Sequence, residues 1–340
     1  MSTGLTVEEH QSANVQMSPI EIFSLIRPEL LRVEEELAHQ AQSVSATVSE
    51  VVTHLFESGG KRVRPALLIL AARAAGDPAS QSAIRMGAVM EMLHSATLIH
   101  DDIIDEASVR RGRASANAKW GNNVSVLVGD WLYMTAFDVS LHERSFEILE
   151  ALTEMTRLMV EGEILQLSLI GNSAITENQH LEIVRRKTAF MFRACAEIGA
   201  LVAKTNAEQR RALAHYGLSV GIAFQLIDDV LDFISTEDKL GKPVVNDLRE
   251  GKLTLPLIYL LEAHPEYRSK LETVMHEGGF ESVSIEEVLE LIENHGSLSR
   301  ARDEAFRYAK EATQALSVLP DSDYRNALLS IPQFIIEREM

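Results

Sequence analysis

The strongest constraint on the fold is a helical period that runs almost unbroken through the chain. In SPIEIFSLIRPELLRVEEEL, residues 18–37, apolar side chains recur every three or four positions. Ser18, Pro19 and Glu21 open that run with a capping box and a proline at the first helical position. Thr176 and Gln179 stand in the same relation ahead of ENQHLEIVRRKTAFMFRACAEIGALVA, and AARAAG carries a glycine stop at Gly76. No run alternates β-branched and polar residues between hairpin turns, so no sheet is expected. The periodicity predicts helices over 18–38, 47–57, 64–75, 80–105, 122–141, 145–170, 177–204, 207–234, 254–263, 285–295, 299–318 and 322–337. With no Pro/Gly/Ser-rich linker and no short repeat, residues 18–340 read as one large all-α domain, a helical bundle, behind a flexible tail at 1–17.

Composition then removes several function classes. The 340 residues are 46% hydrophobic, enough for a sizeable core, and carry a formal net charge of −18. That charge argues against nucleic acid and anionic membrane surfaces as partners, so any anionic ligand must be held by local basic clusters. A lone cysteine, Cys195, excludes an internal disulfide framework and fits a reducing, cytoplasmic setting; it reads as a small core residue rather than a nucleophile. No uninterrupted apolar run reaches the length of a bilayer span, and residues 1–17 lack the basic and apolar parts of a secretory signal.

Against that background LIHDDIIDEASVRRGRAS, residues 98–115, is unusual. On a helix Asp101 and Asp105 share one face a turn apart, and Asp102 points about 100° away. QLIDDVLDF repeats the spacing at Asp228, Asp229 and Asp232. One such triplet is an ordinary solvated helix end; two copies on strongly apolar helices point to a carboxylate-lined site for a hard cation such as Mg²⁺. Mg²⁺ held by few carboxylates keeps positions that substrate phosphates fill. The matching basic groups are Lys61, Arg62 and Arg64 in GGKRVRP, where a Gly-Gly turn allows close backbone approach, and Arg110 and Arg111 after the first triplet.

The ordered set GGKRVRP, LIHDDIIDEASVRRG, KTAF, FQLIDDVLDF and GKPVVNDLREGKLTLPLI resembles the signature of the trans-polyprenyl diphosphate synthases, most of all the bacterial octaprenyl-type long-chain enzymes, over nearly all of residues 18–340. The resemblance implies an all-helical isoprenoid-synthase fold around a central cavity, a homodimer, and condensation of an allylic diphosphate with isopentenyl diphosphate using three Mg²⁺ ions. By the same resemblance Asp101, Asp105 and Asp228 would hold the metals, with Asp102, Asp229 and Asp232 supporting them indirectly. Arg110 would take the allylic diphosphate, and Lys61, Arg64, His94 and Arg111 isopentenyl diphosphate. Lys187, Lys242 and Lys252 would be further diphosphate contacts, Thr188 and Gln225 would offer oxygen dipoles to the reacting carbon, and Arg62 has no assigned role.

Product length in that family is set on the helix before the first aspartates. Small Ala96 and Thr97 there imply a long product, by analogy a quinone side chain, with Leu93, Met134 and Phe137 as candidates for a deeper stop. A short-chain farnesyl or geranylgeranyl synthase is the alternative. A class I terpene cyclase is disfavoured by the aspartate-only second motif and by GGKRVRP, and a non-catalytic subunit by the survival of both motifs.

Overall fold

A computed structural model describes residues 16–42, 45–57, 60–110, 112–234 and 244–338. Helices dominate: α1 (Pro19–Leu25), α2 (Arg27–Gln40), α3 (Ala46–Glu57), α4 (Val63–Ala74), α5 (Gln81–Ile104), α6 (Ala116–Trp120), α7 (Asn122–Leu141), α8 (Phe146–Ser168), α9 (Glu177–Val184), α10 (Phe190–Val202), α11 (Ala207–Ile234), α12 (Asn246–Arg249), α13 (Leu255–Ala263), α14 (Arg268–Glu277), α15 (Ile285–Asn294), α16 (Ser297–Ala315) and α17 (Asp323–Glu337). Helix α4 is apolar on every side and therefore central, packed between α5, α10 and α17, while α11 lies against α10 and α16. Both capping boxes form as expected, Ser18 with Glu21 and Thr176 with Gln179.

The structure departs from the expected helices at several points, the short α6 and α12 among them. The first helix breaks at Ile26 because Pro28 cannot donate the amide that would carry the helix through. A π turn, Arg185–Ala189, separates α9 from α10. Helix α14 has only Leu271 and Val274 buried, too thin an apolar stripe to read in advance. The expectation of no strand also needs correcting: Val109–Arg110 (β1) pairs antiparallel with Arg113–Ala114 (β2), a minimal hairpin that folds the basic segment back after the first aspartates. Most of the 1–17 tail lies outside the described residues; the amide of Met17 donates to Ser330 Oγ of α17 at 3.0 Å. Among the described residues α7 alone is long and apolar enough to cross a membrane by length and composition, a test that a packed core helix also passes.

Candidate active site

The first aspartate triplet ends α5, and its three carboxylates have three different surroundings. Asp102 is 2% exposed, and the hairpin brings Arg110 onto it, Nε to Oδ1 at 2.6 Å. Asp105 is the exposed C-cap, with Lys252 Nζ 3.9 Å from its Oδ1. Asp101 faces a cavity of about 540 Å³ that also takes Arg64, His94, Thr97, Tyr133 and Glu163 into its wall. Burial pushes the Asp101 carboxyl up to about 6; Glu163 and Asp105 add to that, and Lys187 and Arg110 only partly oppose it.

The second triplet, on α11, divides its work differently. Asp228 is part-exposed and bonded to Arg338 Nη1 at 3.1 Å, and the same guanidinium lies 5.0 Å from the centre of the Phe224 ring. Asp229 is buried and accepts from His180 Nε2 and Gln225 Nε2, both at 2.9 Å. Asp232 is 0% exposed; its Oδ2 accepts the Asp247 amide at 3.1 Å and its main-chain carbonyl accepts the Val245 amide at 2.8 Å. One oxygen of the Asp232 carboxylate and its main-chain carbonyl thus steady residues 245–247.

Between the triplets lies the π turn. A Cβ on Gly162 of α8 would meet Arg186 Cβ at 2.6 Å and the Lys187 nitrogen at 2.8 Å, and one on Gly221 of α11 would meet Ala189 Cα at 2.6 Å. Two glycines thus let the widened turn wedge between α8 and α11. Lys187 Nζ reaches Glu163 Oε2 and Gln166 Oε1, each at 2.6 Å, and Thr188 Oγ1 donates to Gln225 Oε1 at 2.8 Å. Lys187 and Thr188 line the main cavity and also a smaller one of about 170 Å³, whose wall includes His180, Gln225, Asp229, Asp247 and Lys252. Asp101 of the first motif and Asp229 of the second therefore line two chambers that share one wall, while Asp105 and Asp228 line neither.

The remaining expected residues are less uniform. Arg64 lines the main cavity, its Nε 2.8 Å from Met191 Sδ, and buried His94 stands between that cavity and a small pocket shared with Arg62, Asp102 and Arg110. Lys61 is exposed and lines neither chamber. Arg111 and Lys242 lie outside the described residues. Thr97 lines the cavity, whereas Ala96, given more weight from the resemblance, is fully buried and does not line it. Ideal helical geometry explains this, since position 97 is about 40° from Asp101 and position 96 about 140° away. Nor do Leu93, Met134 or Phe137 line it: Leu93 is buried and Met134 is 64% exposed on the outer surface.

Arg62 acquires a role. It holds a left-handed backbone, φ 48°, at the N-cap of α4. Its guanidinium meets Glu34 Oε1 at 2.5 Å, Glu91 Oε1 at 2.8 Å and the Phe56 carbonyl at 2.9 Å, tying α2, α3 and α5 to the basic segment. Glu91 is 4% exposed, so Arg62→Ala would strand a buried carboxylate; chemical denaturation is expected to show a loss of about 3 kcal/mol. A change under about 0.5 kcal/mol would remove the clamp from the account.

Sequence reading missed Glu163, Gln166, His180 and Arg338. A glycine between acids in EGE of α8 was the one local signal; Arg338 and His180 reach the site from far along the chain.

Among the described residues no three His, Cys, Asp or Glu groups converge to hold an ion alone. Asp101, a buried carboxylate at the cavity wall with raised proton affinity, still suits Mg²⁺, which takes few protein ligands and fills its shell with water and phosphate oxygens.

Comparison with known proteins agrees over almost the whole length. The polyprenyl synthetase family model matches residues 45–292. The octaprenyl diphosphate synthase of Haemophilus influenzae is 37% identical over 322 residues, 95% of this chain and 98% of that one. The crystal structure of a decaprenyl diphosphate synthase from Rhodobacter capsulatus gives a TM-score of 0.90 at 34% identity, covering 95% of this chain and 100% of that one. A polyprenyl synthase from Caulobacter crescentus complexed with calcium and isoprenyl diphosphate gives 0.89 at 35% identity, covering 96% and 99%. With its motif order, its helical cavity and this overlap, the chain belongs to the polyprenyl synthetase family of prenyltransferases.

Proposed function

We propose that the protein condenses isopentenyl diphosphate with an allylic diphosphate such as farnesyl diphosphate, repeatedly, to give a long-chain all-trans polyprenyl diphosphate. The observation that carries this reading is that Asp101 and Asp229, one from each aspartate triplet, line two chambers whose common wall is Lys187 and Thr188. Asp101 and Asp105 on one side and Asp228 on the other would hold Mg²⁺, three ions by family resemblance. When bound, Mg²⁺ neutralises charge gathering on the leaving diphosphate.

The chain's own groups do the rest. Lys187, Lys252 and Arg110 bind the allylic diphosphate, with Asp102 fixing the Arg110 fork from behind. Arg64 and His94, both in the wall of the main cavity, would bind isopentenyl diphosphate, with Lys61 and Arg111 assigned to the same diphosphate by family resemblance. The allylic C–O bond breaks with its electron pair leaving on the diphosphate. The isopentenyl double bond attacks the resulting cation, and the released diphosphate takes the proton that restores an alkene. Apolar walls at Met159, Met191 and Tyr133 keep water from the cation.

A homodimer is part of the proposal. Outward faces of α7 and α8 expose Leu127, Met134 and Phe146 at 64–84%, an apolar surface suited to a second copy.

Incorporation of labelled isopentenyl diphosphate with farnesyl diphosphate and Mg²⁺ tests the reading. Radiolabel in a long dephosphorylated polyprenol supports it. A hydrocarbon made without incorporation would mean a cyclase, and no product a non-catalytic subunit.

A further inference from the structure

We propose that His180 is a positioning residue for this condensation: through Asp229 it sets the polarity of a hydrogen-bond chain so that Thr188 turns oxygen lone pairs, not a proton, toward the cavity. The inference rests on the proposed prenyl transfer.

His180, on α9, and Asp229, on α11, are 6% and 4% exposed, so their 2.9 Å contact is sheltered from water. The carboxylate can only accept, so His180 Nε2 carries the hydrogen in this contact. Asp229 Oδ1, held in place by that anchor, faces Gln225 Nε2 at 2.9 Å. An amide has one donating end and one accepting end. With its NH₂ committed to the carboxylate, Gln225 must present Oε1 to Thr188, and that oxygen can only accept. The Thr188 hydroxyl, 2.8 Å away, therefore spends its one hydrogen on Gln225. Its lone pairs remain for the chambers that Thr188 lines.

An oxygen lone pair beside an allylic cation is stabilising, and more so in a water-poor cavity with a fixed dipole. A hydroxyl free to rotate would point its proton at the cation part of the time. Without His180, the Asp229 carboxylate loses one of two anchors, the Gln225 amide can turn over, and the order of donors fails. His180 never needs to touch substrate.

The test compares His180→Phe, which keeps a ring without the donor, with His180→Gln, whose Nε2 can replace the imidazole nitrogen. In labelled isopentenyl diphosphate incorporation, His180→Phe is expected to lower kcat roughly ten- to hundredfold with KM for both diphosphates within about twofold, and His180→Gln to recover most of the loss. Asp229→Asn, which would donate toward Gln225 and reverse the chain, should lose as much as His180→Phe. In a Thr188→Val background, His180→Phe should cost little more, because the group it positions is gone. Full kcat in His180→Phe or Asp229→Asn overturns the assignment, as does a His180→Phe penalty undiminished beside Thr188→Val. If His180→Phe does not fold, the Asp229→Asn and His180→Gln arms decide by the same criteria. Wild-type protein that incorporates nothing defeats prenyl transfer and this inference together; active wild type with indifferent variants defeats this inference alone.

Discussion

Asp101→Asn and Asp228→Asn are each expected to lower turnover by about a hundred- to thousandfold at saturating Mg²⁺ while leaving the protein folded. Asp101 lines the main cavity and Asp228 adjoins Asp229, which lines the smaller one; each substitution removes a carboxylate and keeps the side-chain shape. Stability and function should separate most clearly at Asp101. Its folded carboxyl is raised to about 6 from an ordinary value of 3.8, so the folded state favours the proton. Stability from that preference is fully present below the ordinary value and lost as pH climbs through about 6. At pH 8 the metal-free wild type carries an unfavourable charge that Asp101→Asn lacks. The inactive variant should therefore melt, without metal, at the same temperature or higher. Calorimetry beside the incorporation assay checks both halves. Near wild-type turnover in Asp228→Asn would mean that the second motif does not serve the first.

Thr97→Phe is expected to move the main product from octaprenyl-type length to farnesyl or geranylgeranyl length, with the first condensation still fast. Thr97 lines the main cavity one turn from Asp101, so a ring there would sit in the path of a chain growing away from the diphosphates. Ala96→Phe tests the position favoured by resemblance. Ala96 lies one turn before His100, whose ring stacks on Tyr133 of α7 and occupies the space above Gly129. A phenylalanine at 96 must open that packing, at about 1–3 kcal/mol, or turn its ring into the cavity and shorten the product as well. Chromatography of dephosphorylated products distinguishes these outcomes. An unchanged distribution in folded, active Thr97→Phe would show that the chain grows in another direction.

What could be read in the sequence was what lies on a single helix. Ser18–Glu21 and Thr176–Gln179 announced helix starts because capping is local. The paired aspartates stood out because fixed spacing puts them on one turn. Their partners did not: Arg338 meets Asp228 across 110 residues and His180 meets Asp229 across 49, distances over which spacing carries no information. Arg62 looked like one more surface cation because Glu34 and Glu91 converge on it only after α2 and α5 pack. The π turn was hidden for a related reason. Residues 177–204 read as one helix, and it is the glycines of two other helices that admit the wider turn.

That turn sets a phase. A π turn is a helix carrying one residue more than the α ladder needs, so α9 is rotated about 100° against α10 relative to a continuous α-helix. Deleting one residue from 185–189 would restore the simpler ladder and leave α10 its buried faces on α4 and α11. His180 would swing off Asp229, and Lys187 would leave Glu163. The shortened protein would keep its helix content and compactness with a scrambled site, a failure invisible to circular dichroism and plain in turnover. Within these five residues, length constrains the enzyme as well as the identities of Lys187 and Thr188.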